Sequence, residues 1–137
     1  MGLRRKSREL ALQFLFGHDF QDRSSEEAVL QAELEEFYDC FKADDKALPY
    51  ARQLIAGICI HQDDIDRRLS TCSHNWRVER MALVDRNILR IAAYEIVHVQ
   101  DVPATVAINE ALEIAKRYAE PDAIGFINGV LDGLQEK

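Results

Sequence analysis

Met81-Ala-Leu-Val-Asp85-Arg-Asn-Ile-Leu-Arg90-Ile-Ala-Ala-Tyr-Glu95-Ile-Val97 decides the fold class. Its apolar residues Ile88, Leu89, Ile91, Ala92, Ile96 and Val97 recur at three- and four-residue spacings, without the period of two that marks a strand. The stretch predicts one long helix. The same periodicity dominates the rest of the chain.

Downstream, Asp101, Val102 and Pro103 break the helix. Val106 to Ala119 is again helical and apolar over a wide arc, which predicts the central buried helix of the molecule. Pro121 then opens a last helix carrying Ile124, Ile127, Val130, Leu131 and Leu134. Upstream, the periodicity lapses between Thr71 and Arg77, a predicted hinge. Before it, Pro49 suits the first turn of a helix that runs through Leu54, Ile55, Ile58, Ile65 and Leu69. Asp44 to Leu48 is a polar connection. An acidic helix precedes it, with Ser24 and Glu27 at capping-box spacing and Val29, Leu30, Leu34, Phe37 and Tyr38 directed inward. The first helix spans about Arg4 to Asp19, with Leu10, Ala11, Phe14, Leu15 and His18 as its buried stripe. The expected fold is an all-α bundle of six to seven helices.

A chain of 137 residues suits one domain that buries a core without disulfides or metals. No uncharged apolar run approaches the roughly 20 residues that span a bilayer. The N-terminus lacks the apolar core of a signal peptide, so a cytoplasmic protein with no membrane association is expected. Cys40, Cys59 and Cys72 are then expected to be reduced. The net charge of −7 is concentrated: residues 24–46 carry −6 of it. Arg4, Arg5, Lys6 and Arg8 form a basic arm ahead of that segment. Screening cuts off distant charge within about 10 Å, so such an arm can bind phosphate even on an acidic body, and a solubilising, frayed terminus is the other reading of it.

Enzyme templates are absent. There is no Walker A loop, dinucleotide fingerprint, nucleophile elbow or H-E-x-x-H pair. Cys59-x-His61 and Cys72-x-His74 imitate a metal site, but residues two apart on a helix point about 200° apart. Neither a metal nor a cofactor is expected, and the chain reads as a non-enzyme.

Two phenylalanines stand out. At about 100° per residue, Phe16 lies away from the Leu10–Phe14–Leu15 stripe and within about 20° of the line through Arg5. A ring beside cations is what unstacked bases require, although packing on a neighbouring helix accounts for Phe16 equally well. Phe126 sits at the edge of the last helix's stripe, toward Asp122. Gly125, Gly129 and Gly133 align on that helix, each costing about 1 kcal/mol relative to alanine. They suit a close approach by another helix of the domain or by a partner. Arg77, Arg80, Arg86 and Arg90 read as solvated or ion-paired, with Glu79 and Asp85 near.

Four segments together resemble the NusB family: Arg4-Arg-Lys-Ser-Arg-Glu-Leu-Ala-Leu-Gln13, Val84-Asp-Arg-Asn-Ile-Leu-Arg-Ile-Ala-Ala-Tyr-Glu95, Val102-Pro-Ala-Thr-Val-Ala-Ile-Asn-Glu-Ala-Leu-Glu-Ile-Ala-Lys116 and Phe126-Ile-Asn-Gly-Val-Leu-Asp132. The likeness runs through nearly the whole chain in order and is loosest across the acidic helix. It implies two packed helical subdomains, about residues 1–74 and 75–137. It also implies binding of single-stranded boxA RNA jointly with the ribosomal protein NusE, within a processive antitermination complex on RNA polymerase. By motif match, the family's basic arm falls on Arg4, Arg5, Lys6 and Arg8, and its aromatic RNA contacts on Phe16 and Phe126. Asp122 matches an acid that tunes RNA affinity, and Asp85 with Arg86 a further contact point. Many members have tyrosine at Phe16, so stacking is retained and a hydroxyl is lost. Monomer and homodimer both fit the apolar patterns. Two other readings remain: a helical adaptor that binds only protein, and the RNA-binding module of an RNA cytosine methyltransferase, whose cofactor-binding region these 137 residues lack.

Overall fold

The computed structural model describes residues 2–20, 27–40, 45–73 and 76–135. Within them the chain forms α1 (Leu3–Phe20), α2 (Glu27–Cys40), α3 (Leu48–Cys72), a one-turn 3-10 helix (Val78–Arg80), α4 (Leu83–His98), α5 (Ala104–Tyr118) and α6 (Ala123–Gln135), with no strand among the described residues. The predicted all-α bundle is therefore the observed fold. The proposed capping box at Ser24 and His74 both fall outside the described residues. So does part of the predicted hinge, where α3 runs on to Cys72 before residues 74 and 75.

The central helix is α4, not α5 as its apolar arc predicted. Every residue from Asn87 to Glu95 is buried, so α4 is enclosed on all sides by α1, α3, α5 and α6. On α5, Thr105, Val106, Asn109, Glu113 and Lys116 face solvent. The misreading has a simple source. Asn87, Arg90 and Glu95 are polar, and a sequence count marks such positions as outward, whereas here they are bonded inside. The core runs from Ala11, Phe14 and Leu15 through Leu54, Ile55, Ile58, Ile65 and Leu69 to Ile127, Leu131 and Leu134. Each fully enclosed Leu or Ile contributes about 1.5–3 kcal/mol relative to exposure.

Pro49 lies in the first turn of α3, as its missing N–H requires. That helix kinks at His61 (φ −103°, ψ 15°), whose ring stacks on His98 at 4.2 Å. At Gly57 a Cβ would lie 2.2 Å from the Tyr94 ring, so this is the position where α3 and α4 need a glycine. The aligned glycines of α6 do not have that role: nothing lies within 4 Å of a Cβ at Gly125 or Gly129, and only Gly133 touches Cys72. On α2, Leu34 is buried and Phe37 meets Phe14 edge-on at 5.3 Å. Val29, expected inside, is exposed because α2 rests on the edge of the bundle.

Polar bonds bind the layers. Ser7 Oγ donates to the Ala47 carbonyl at 2.7 Å, fastening α1 to the turn before α3. Asp19 accepts from Arg86 Nε and Nη2, both at 2.6 Å, and also from Asn87 and Arg90. Arg90 in turn donates twice to Asp66 of α3, each bond at 2.9 Å. Burial opposes the charge on Asp19, but bonds from Arg86 and Asn87 and the charge of Arg90 outweigh it and hold its carboxyl below the usual range.

A folded-state pKa below the unfolded value gives stability that is present above the unfolded pKa and lost as pH falls through the folded one. Urea midpoints measured from pH 7 downward should therefore fall below about pH 4. Asp19→Asn should be less stable than wild type at pH 7 and lose less on acidification.

Candidate nucleic-acid interface

The basic arm does not act as one unit. One helical turn distributes its four cations among different environments. Arg8 points inward and is 4% exposed. Its Nε donates to both oxygens of Glu95, at 3.0 and 2.9 Å, and its Nη1 reaches Glu110 at 3.2 Å. Tyr50 Oη also donates to Glu95. Burial pushes the Glu95 carboxyl up against the opposing pull of Tyr50 and Arg8, and burial first, then Glu95, raises the Tyr50 hydroxyl. Arg8 is thus an interior residue and is withdrawn from the candidate RNA contacts.

Arg5 donates to Glu110 at 2.9 and 2.6 Å, which holds that carboxyl below its ordinary value. Arg4 meets Asp101 at 3.0 Å and lies 4.3 Å from the Tyr50 ring centre. Both remain on the surface, half-buried and exposed respectively, so a phosphate competes there with an acid. Lys6 is exposed and forms no ion pair among the described residues.

Lys6 faces a groove of about 350 Å³ between α1, the start of α4 and the end of α5. Glu9, Gln13 and Phe16 continue the α1 wall at three- and four-residue spacings. Leu10, Leu12 and Val84 line its apolar part, and Tyr118 of α5 also lines it. Phe16 is 37% exposed and Tyr118 46%. The geometry therefore brings together Lys6, the Phe16 ring and a second ring that the sequence reading missed. Tyr118 is four residues after Ile114 and so reads as core, but it lies in the last turn of α5, beyond the residues that cover its neighbours.

The other candidates surround this end of the bundle. Asp85 follows Val84 in the first turn of α4, and burial, then the charge of Glu120, raises its carboxyl. Asp122 is exposed in the turn between α5 and α6. Phe126 is half-buried and contacts Trp76 edge-on at 6.0 Å, outside the groove. Trp76, itself 56% exposed, was not singled out from the sequence. Arg86 turns to Asp19 and to the carbonyls of Val78 and Glu79, and serves the fold. Its partner, and that of Arg90, lies on another helix, not at the neighbouring Asp85.

Among the described residues no three metal-ligating side chains converge, and no helix is long and apolar enough to cross a membrane. Burial lifts the Cys59 thiol to about 11, which suits a packed, reduced cysteine.

The family model described as NusB family matches residues 5–136. The chain belongs to the NusB family. The transcription antitermination protein NusB of Desulfotalea psychrophila is 44% identical over 136 residues, covering 98% of this chain and 96% of that protein. The Bacillus subtilis protein of the same name is 42% identical over 132 residues, covering 96% and 94%. Among solved structures, T. maritima NusB superposes with a TM-score of 0.80 at 37% identity, covering 98% of this chain and 91% of that one. A structure of NusB and NusE in complex with dsRNA shares the fold at a TM-score of 0.80 and 22% identity, covering 98% and 96%. Both of these relatives are named as transcription antitermination proteins, not as enzymes, in line with the reading of the chain as a non-enzyme.

The two neighbouring cations Lys6 and Arg8 should separate in a urea titration at pH 7. Arg8→Ala leaves Glu95 buried without its cation and should cost about 3–5 kcal/mol. Lys6→Ala should stay within about 0.5 kcal/mol of wild type.

Proposed function

We propose that this NusB family chain binds single-stranded boxA-type RNA through the end of the bundle formed by α1, the start of α4 and the α5–α6 turn. The observation that carries the reading is the groove in which an exposed lysine, Lys6, faces two partly exposed rings, Phe16 and Tyr118. Cations attract the phosphate chain and rings hold unstacked bases, whatever the sign of the protein's total charge. Lys6, Arg4 and Arg5 supply the charge on this reading. Phe16 and Phe126 stack bases, while Asp85 and Asp122 set a local negative charge that limits affinity. Arg86 supports the interface from behind through Asp19.

The partner proposed is the ribosomal protein NusE, with which the chain would join a processive antitermination complex on RNA polymerase in the cytoplasm. The shared fold of the NusB–NusE–dsRNA structure supports a joint protein and RNA surface. The two-subdomain division near residue 74 belongs to this proposal too. So does the choice between a monomer and a homodimer, since dimer formation would compete with NusE wherever the two surfaces overlap.

Fluorescence anisotropy with a boxA-like single-stranded RNA and a scrambled control tests the reading. The boxA-like RNA should bind more tightly, and added NusE should tighten it further. Phe16→Ala and Phe126→Ala should each cost about 1–3 kcal/mol. Lys6→Ala should reduce the salt dependence by about one phosphate contact. Equal, salt-erased binding of both RNAs by every variant would leave a protein-only adaptor as the better account.

A further inference from the structure

We infer that the groove between α1, α4 and α5 is a pocket for one base, and that Glu9 makes it selective for a base bearing an amino group. The inference rests on the RNA-binding reading above and adds a specificity-determining residue to it.

A carboxylate in a groove for a polyanion needs an explanation. The Glu9 side chain is 9% exposed, and its Oε2 accepts from Arg117 Nη1 at 2.7 Å. Its Oε1 has no hydrogen-bond partner among the described residues, and no side-chain oxygen or nitrogen there is both fully buried and unpaired. Oε1 therefore keeps contact with solvent, and Glu9 is one of the residues that line the groove. Arg117 neutralises the carboxylate and orients it, so with Lys6 this wall carries a net positive charge and does not repel a phosphate. An ionised carboxylate only accepts hydrogen bonds. Its complement on a base edge is a donor, such as the exocyclic amino group of cytosine or adenine or the N1–H and amino group of guanine. Uracil presents a carbonyl oxygen where cytosine presents its amino group. Bringing that oxygen to Glu9 sets two acceptors against each other in a half-enclosed site.

The rest of the pocket fits one ring system. Phe16 of α1 and Tyr118 of α5 both line it. The Arg117 guanidinium lies 5.3 Å from the Tyr118 ring centre, so the cation that holds Glu9 also lies against the ring. Gln13, one turn beyond Glu9, offers both a donor and an acceptor to a second position on the base edge. The volume of about 350 Å³ falls at the small end of the range for small-molecule pockets.

Two measurements test this. In the first, a boxA-like single-stranded RNA is varied one base at a time. Each amino-bearing base is replaced by a counterpart without the amino group: cytosine by uracil, guanine by inosine, adenine by purine. On wild type, one position should lose about 5- to 150-fold in affinity. On Glu9→Gln, whose amide both donates and accepts, the loss at that position should shrink to within about threefold. In the second, Tyr118→Trp is made in a Trp76→Phe background, and the indole should be quenched when the RNA binds. Intact boxA binding with no position softened by Glu9→Gln and no quenching would overturn the pocket and leave the RNA reading standing. No preference of wild type for boxA-like over scrambled RNA would remove both.

Discussion

The bond from Arg8 Nε, shared between both oxygens of Glu95, is the constraint on which the rest of the bundle depends. Two charges lie almost out of reach of water, at 4% and 0% exposure, one on α1 and the other on α4. Desolvating them is costly, and attraction between the pair alone rarely offsets that cost. Here additional bonds complete it: Tyr50 from α3 reaches the same carboxylate and Glu110 from α5 reaches the same guanidinium. Four helices thus converge on one ion pair. Sliding α1 or α4 by a turn would leave a charge buried without its counterion, so the pair fixes the register of one helix on the other. Asp19 does the same at the opposite end of α1, through Arg86, Asn87 and Arg90.

Holding α1 at both ends from the inside has consequences outside. About a third of a turn around from Arg8 and Asp19, α1 carries Lys6, Glu9, Gln13 and Phe16 along one face, on a helix that cannot rotate without breaking those bonds. A stacking ring on such a support has little freedom left to lose when a base arrives. The same constraint sorts the cations of the basic arm. Only those pointing away from Glu95 remain for phosphate, so the useful charge is smaller than four consecutive basic positions imply. Most of the −7 lies in and around α2, which packs against the other side of α1 through Phe37 and Phe14. Screening over about 10 Å weakens its influence on the groove.

The helical class, the breaks at Pro103 and Pro121, and the core positions of α3 and α6 were legible from the three- and four-residue spacing of apolar residues. Phe16 was legible for the same reason: it fell off the stripe of its own helix. Spacing describes one helix at a time, and the misread features all depend on two. The identity of the central helix was obscured because α4 buries Asn87, Arg90 and Glu95, whose partners are as far away in sequence as Arg8 and Asp19. Tyr118 was hidden by its place in the α5 stripe, since no periodicity reports where the neighbouring helices stop. The aligned glycines of α6 looked like a packing face, whereas the close approach occurs at Gly57, alone in α3.

The sequence by itself therefore determined the helices, their inward stripes and, through four matching segments, the NusB family. These follow from local geometry, because residues three and four apart share a face whatever the rest of the chain does. Only the tertiary structure decided which cation is interior and which is exposed, which acid each arginine meets, and that Lys6, Glu9, Phe16 and Tyr118 line one groove. Those outcomes depend on contacts between residues about a hundred positions apart, as in Arg5 with Glu110 and Glu9 with Arg117. Charge pairs of that span form only after the hydrophobic stripes have packed the helices together.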